Sequence, residues 1–291
     1  MSEFLTHEIF GADGSYWNVT TGEQGVTLAP GPTKLMDAPK KTMWIKTAQG
    51  ERYQGDAVLR RDPVVAFNIE GDDPVHWHDV DSRFRMAWET KRETRWVTTT
   101  LDGARTLMVR LLTEPTQTSI ENKDPHIWAQ SMLTCPLAAQ NPSWTEPDEI
   151  RSWRLMSGTS GSGFIPAWNP CDEEIWLKYV CTYPGTYTLP DFSFLGDEAA
   201  ARVVPLKPLV ATDGNLTVDT SQSEEQLIST EETPVWPRQA GKGFLFPMPA
   251  HTGSEQDPIM LPVSVSGGVA GVSGVQLRMP RNYSRPYGVK R

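Results

Sequence analysis

Three groups of residues in this chain have the types that chemistry requires. His76-Trp77-His78-Asp79 sets two imidazoles and a carboxylate within four residues, all of them metal-ligand types. On a helix, residues two apart point to different faces, and no third His lies nearby, so surface or capping duty is expected. Residues 157–166 read SGTSGSGFIP. A nucleophile elbow running from Gly158 through Ser160 needs Gly at 162, where Ser162 stands. A dinucleotide fingerprint on Gly161 and Gly163 needs Gly at 166, where Pro166 would hinder the opening of a helix. The stretch is therefore expected to be a flexible turn between strands. The third group comprises the acidic clusters Asp172-Glu173-Glu174, Glu224-Glu225 and Glu231-Glu232, drawn from 36 carboxylates. A glycosidase holds two carboxyls about 5–9 Å apart across a cleft. These clusters fall in turns, where solvated loops are the default. The five His give no Ser/His/Asp signature. No catalytic, metal or cofactor residue is nominated, and the chain is expected not to be an enzyme.

The elements that would have to position such groups are mostly strands. In 291 residues there are 24 Pro and 23 Gly, which long helices tolerate poorly. SYWNVT and TMWIKTA are short apolar stretches set among turn signals, and VVAFNIEG alternates with period two, which is all-β grammar. A helix is predicted to interrupt them. Asp73 would cap it and Pro74 would fill its first position, where the missing N–H costs nothing. Trp77, Val80, Phe84 and Trp88 then recur at spacings of three and four, making one apolar stripe opposite Asp79, Arg83 and Arg85. Residues 94–99 and ARTLMVRLL follow as strands joined at Asp102-Gly103. The polar, turn-rich residues 113–125 suggest a domain boundary near residue 124. Beyond it, HIWAQSMLTC, IRSWRLMSG, GFIPAWN, IWLKYVCTY, ARVVPLKPL, GNLTVDT, GFLFPMP, LPVSVSG and GVQLRMP suit the strands of a sandwich.

Composition excludes several classes. The length suits two domains. A net charge of −9 argues against a nucleic-acid binder, which needs a cationic face for phosphate. Cys135, Cys171 and Cys181 are an odd number without a CxxC pair, so neither a disulfide framework nor a zinc site is implied. MSEFLTHEIF lacks the basic and apolar regions of a secretory signal. Residues 258–277 approach the length of a membrane span, but their Pro, Gly and Ser read better as strand, turn and strand. The eleven Trp are spread along the whole chain, and core or interface duty is expected of them. Residues 278–291 carry cations and no anion, which suits either nucleic acid or an acidic neighbour.

One resemblance organises these features. Residues 164–194 contain Asn169-Pro170, an acidic Asp172, Trp176 in IWLKYV, and LPDFS with Leu189 and Asp191. GNLTVDT with Asp219, then Val235-Trp236, GFLFPMPAHT and a closing PRNYSRPYG with Arg285 and Pro286 follow in order. This arrangement resembles the distal tail proteins of long-tailed, non-contractile bacteriophages, called minor tail proteins in mycobacteriophage-type genomes. The resemblance implies a mainly β chain. Residues 1–124 would be a ring-forming belt β-sandwich with one helix, and 125–291 a galectin-like β-sandwich. The marker residues would be structural. The resemblance also implies a hexameric ring at the junction of tail tube and tip, acting as an assembly hub around a channel for DNA. Partners would be further copies of itself, the tail tube protein, the tape measure protein, tail tip proteins and receptor-binding proteins. The chain would be made in the host cytoplasm, reside at the distal end of the virion tail, and neither insert in a membrane nor need a cofactor. The alternative is a glycan-binding tail module, which would require a cluster of exposed Trp on one sandwich face.

Overall fold

Alternating burial along the strands produces two separate β structures. The structure, a computed structural model, describes residues 4–289. One unit takes the chain up to Thr145 and again over Tyr283–Val289, and the other takes Glu146–Asn282. The chain runs on past the boundary expected near 124. The polar segment there hides an edge strand, and the next strand pairs back into the first unit's sheet.

The first unit contains β1 (Leu5–Phe10), β2 (Tyr16–Asn18), β3 (Val26–Leu28), β4 (Lys40–Thr47), β5 (Gly50–Val58) and β6 (Val64–Glu70). It continues through α1 (Pro74–Met86), β7 (Thr94–Thr100), β8 (Gly103–Leu111), β9 (Thr116–Ser119), α2 (Pro125–Trp128) and β10 (Gln130–Ala138). Two antiparallel sheets form, β2-β1-β7-β8 and β3-β6-β10-β9, and a short β8–β10 pairing joins them at Leu111 and Leu137. The helix begins as predicted. The Asp73 carboxylate accepts from the Val75 and His76 amides at 2.8 Å, and Pro74 follows it. Gly71 precedes the helix because any Cβ there would lie 2.2 Å from the Trp77 nitrogen. Trp77, Val80 and Phe84 are buried, as is Trp88 just beyond the helix end. Phe84 meets Trp17 edge-on at 5.1 Å and Phe67 at 4.9 Å, and Phe67 lies 6.0 Å from Trp96 of the facing sheet. The stripe thus seals one aromatic core. His126 to Trp128, expected in a strand, form the turn of α2 because Asp124 caps it.

Two fully buried arginines hold the first unit together. Arg61 donates from Nε to the Pro142 carbonyl at 2.6 Å and from Nη1 to those of Leu35 (2.6 Å) and Met36 (3.1 Å). Its Nη2 donates to the Ser284 carbonyl at 2.8 Å. Arg105 donates to the carbonyls of Arg285 (2.9 Å) and Gly288 (3.1 Å), with its guanidinium 3.5 Å from the centre of the Tyr283 ring. These acceptors belong to irregular backbone that no β ladder satisfies, so the guanidinium forks supply the donors. Residues 283–289 are thereby fastened into a unit whose other strands end at residue 145.

The second unit begins within β11 (Trp144–Arg154) and adds β12 (Gly161–Ala167), β13 (Lys178–Cys181), β14 (Thr186–Pro190) and β15 (Val203–Pro205). It continues with β16 (Leu216–Asp219), β17 (Leu227–Ser229), β18 (Ile259–Ser266) and β19 (Gly274–Tyr283). Its sheets are β17-β16-β13-β19-β11 and β12-β18-β14-β15. Ile165, Tyr179, Tyr187, Leu216, Leu261, Val263 and Leu277 fill the space between them. The β18–turn–β19 reading of residues 258–277 holds. Only residues 157–160 of the Gly/Ser stretch form the expected loop, because Gly161 and Gly163 already belong to β12. A Cβ on Gly163 would strike the Trp153 ring at 2.1 Å. GFLFPMP is not a named strand, and only Met248 bridges, to Ile175. The buried side chains of Asp191 and Gln226 bind its backbone in place of a ladder.

Two outcomes follow for the first unit. Arg61→Met keeps the bulk and removes the donors, and is expected to cost roughly 3–5 kcal/mol of stability. Deletion from Tyr283 onward should abolish hydrogen-exchange protection in the first unit and spare the second. Equal protection of both units after truncation would contradict the clamp. His7, 2.9 Å from the Thr98 hydroxyl and edge-on to Trp96, has its pKa pushed down from 6.5 to about 4 by burial. The unfolded chain takes up this proton as pH falls through 6.5, while the folded chain resists until about 4. Stability of the first unit should therefore fall across that window, by about 3 kcal/mol at most. Thermal melts from pH 7 to 4 should show the slope, and His7→Gln should flatten it.

Candidate assembly surfaces

Among the described residues, no group of three or more His, Cys, Asp or Glu could hold a metal ion. His76 sits at the start of α1 with its ring 3.4 Å from Asp72, and His78 is exposed. The three cysteines are buried and unbridged, and burial raises the Cys135 thiol to about 12. No helix among the described residues is long and apolar enough to cross a membrane.

The marker residues do not converge. They occupy caps and turns of the second unit, and two lie in the closing segment of the first. Asn169 is fully buried. Its Nδ2 donates to the carbonyls of Glu173 (2.8 Å) and Pro249 (2.9 Å), and its Oδ1 accepts from the Cys171 amide at 3.0 Å. Pro170 is buried beside it, and Asp172 and Trp176 are half-buried. Leu189 is in the core. The Asp191 carboxylate accepts from the amides of Leu245 and Phe246 and pairs with Arg202. Asp219 caps the turn after β16 by accepting from Ser221 and pairs with Lys178 at 2.8 Å. Arg285 lies 3.2 Å from Asp37, and Pro286 is buried near it in sequence. Trp236 alone of the ten is exposed, at 39%. Of the basic end, Arg281 donates to the Trp168 carbonyl, while Lys290 and Arg291 lie outside the described residues.

The surface that sequence reasoning missed is the β4–β5 hairpin. It pairs only with itself, and every residue of β4 is exposed. Met43, Trp44, Ile45 and Tyr53 are each about half exposed or more, with Trp44 and Tyr53 edge-to-face at 5.4 Å. A bulge between Met43 and Trp44 shifts the register, so apolar side chains reach both faces. Such a ribbon is marginal alone, and both its edges carry unpaired backbone groups. TMWIKTA reads from sequence as one strand among others of an all-β chain. Only the missing neighbour on either side reveals an arm.

No family model matches the chain. The fold is that of a phage distal tail protein. It superposes on SPP1 Dit (gp 19.1), described as a paradigm of the hub adsorption apparatus in phages infecting Gram-positive hosts. The TM-score is 0.63 at 10% identity, covering 96% of this chain and 99% of that one. A chain of the phage P2 baseplate in its activated conformation with Ca aligns with a TM-score of 0.50 and 12% identity, over 95% and 98%. In sequence, the chain is similar to the minor tail protein Gp27 of Mycobacterium phage D29. They are 28% identical, over 97% of this chain and 98% of that protein. The Gp27 of Mycobacterium phage L5 matches to the same extent. The resemblance drawn from the sequence holds, in its mycobacteriophage type and in its mainly β fold.

Proposed function

We propose that this chain is a structural subunit of a long, non-contractile phage tail. Copies of it close a ring, of six subunits, between tail tube and tip. The ring serves as an assembly hub and leaves a channel for DNA. The β4–β5 arm carries this reading. It presents Trp44, Tyr53, Met43 and Ile45 to solvent, where patches of this kind mark interaction sites. It holds Lys40, Lys41, Lys46 and Arg52 against Glu51 and Asp56, so it is basic in a chain of net charge −9. Its complement is therefore an acidic surface, and another copy of this chain offers one. An arm on one subunit that seats on a different face of the next makes a heterologous contact, which closes into rings. Tube, tape measure, tip and receptor-binding proteins would then attach to the completed ring. An acidic channel wall would let phosphate pass without trapping it.

The glycan-binding alternative asked for several exposed Trp on one sandwich face. In the second unit Trp168 is buried, Trp153 and Trp176 are half-buried, and Trp236 alone is exposed. The hub reading is the better supported.

Trp44→Ser with Tyr53→Ser should leave folding intact, since neither side chain belongs to a core. Sedimentation should show the unaltered chain associating with rising concentration and the double variant staying monomeric. Equal association of the two would remove the arm from the interface.

A further inference from the structure

The second unit has an open groove of about 420 Å³ beside the turn at Trp236–Gln239. Its floor is apolar, made by Trp236, Phe244 and Leu245. Gln222, Glu224 and Glu225 stand along its rim. The polar groups beneath the floor are already satisfied. Gln226 Nε2 donates to the Phe244 carbonyl at 3.0 Å and its Oε1 accepts from the Phe244 amide at 3.0 Å. Gln222 donates its amide to the Leu245 carbonyl at 3.1 Å, which leaves its oxygen as an acceptor.

The buried carboxylates of this unit each have a cationic partner: Asp191 with Arg202, Asp213 with Arg238, and Asp219 with Lys178. Glu224 and Glu225 are exposed and have none among the described residues. With Glu224 and Glu225 the lining side chains are rich in acceptors and negatively charged, against two donors, the Trp236 indole N–H and the second N–H of Gln222. A neutral pyranose gains nothing from that charge, whereas a cation does. A ligand that only donates, and that carries a flat or aliphatic body to lie on an indole, has the chemistry of an arginine side chain.

We propose that this groove binds an arginine-bearing segment of a partner protein, the guanidinium stacking on Trp236 and pairing with Glu224 and Glu225. Planar guanidinium matches both an aromatic face and a carboxylate fork. The chain's negative charge would draw in such a segment and make binding salt-sensitive. The proposal does not depend on the ring, because the groove belongs to the second unit and the arm to the first.

The test is a titration of the full ¹⁵N-labelled chain with an acetylated, amidated Gly-Arg-Gly-Gly-Arg-Gly peptide. Saturable shifts confined to the amides of residues 222–226 and 236–245 are expected. The same peptide with citrulline in place of arginine should bind about tenfold more weakly, having lost its charge. Glu224→Gln with Glu225→Gln should weaken binding to a similar degree and, being exposed, leave the fold unchanged. Trp236→Ala should weaken it too. Absence of saturation, equal affinity for the citrulline peptide, or indifference to the double substitution would each overturn the proposal. So would maltohexaose binding the same amides more tightly than the arginine peptide.

Discussion

Two guanidinium groups that no solvent reaches gather the irregular backbone of the first unit. Arg61 and Arg105 donate to carbonyls of residues 35, 36, 142, 284, 285 and 288. A buried carbonyl left unmet costs about 1–3 kcal/mol, so the two forks contribute substantially to holding these irregular segments together, beside the Ala38 amide on Ser284 and the Trp144 indole on Leu35. Lysine would not substitute, because an ammonium is a point charge without the planar spread of donors. The clamp makes the unit discontinuous in sequence. The chain must leave it, build a second sandwich and return before its last carbonyls find their donors. Closure is therefore a long-range event, which slows folding relative to local pairing.

The second unit solves the same problem with carboxylates and amides. Asn169, Asp191 and Gln226 each bind backbone of the stretch from Gly243 to Pro249, which has no extended ladder of its own. Polar side chains consumed in this way are unavailable for chemistry, which agrees with a building block better than with a catalyst. Two surfaces stand out among the described residues, an apolar and basic arm in the first unit and an acidic, aromatic groove in the second. Both have the character of contacts between proteins, the arm through burial of apolar area and unpaired strand edges, the groove through charge.

The sequence disclosed much of what depends on neighbours along the chain, though not the Asp124-capped turn of α2. The cap at Asp73, the stripe from Trp77 to Trp88, the turn at Asp102-Gly103 and the two strands either side of residues 267–273 all rest on local periodicity and turn chemistry. It concealed what depends on distant backbone. Arg61 stands in LRRDP, which has the look of a solvated loop, and nothing local shows that its acceptors lie 26, 81 and 223 residues away. The boundary near 124 failed for the same reason, since the pairing of β10 with β6 outweighs the polarity of the loop before it. TMWIKTA reads as a strand, and nothing in its own residues shows that β4 and β5 pair with each other alone among the described residues. Glu224-Glu225 was seen only as a solvated cluster, because sequence does not bring Trp236, Phe244 and Leu245 up beside it.

Native mass spectrometry of the purified chain across a range of concentrations, with images of the largest species, tests the central claim most directly. A closed ring of six with an open centre is expected, its population growing with concentration. A chain that stays monomeric throughout, and that gains no partner copies when tail tube protein is added, would contradict it.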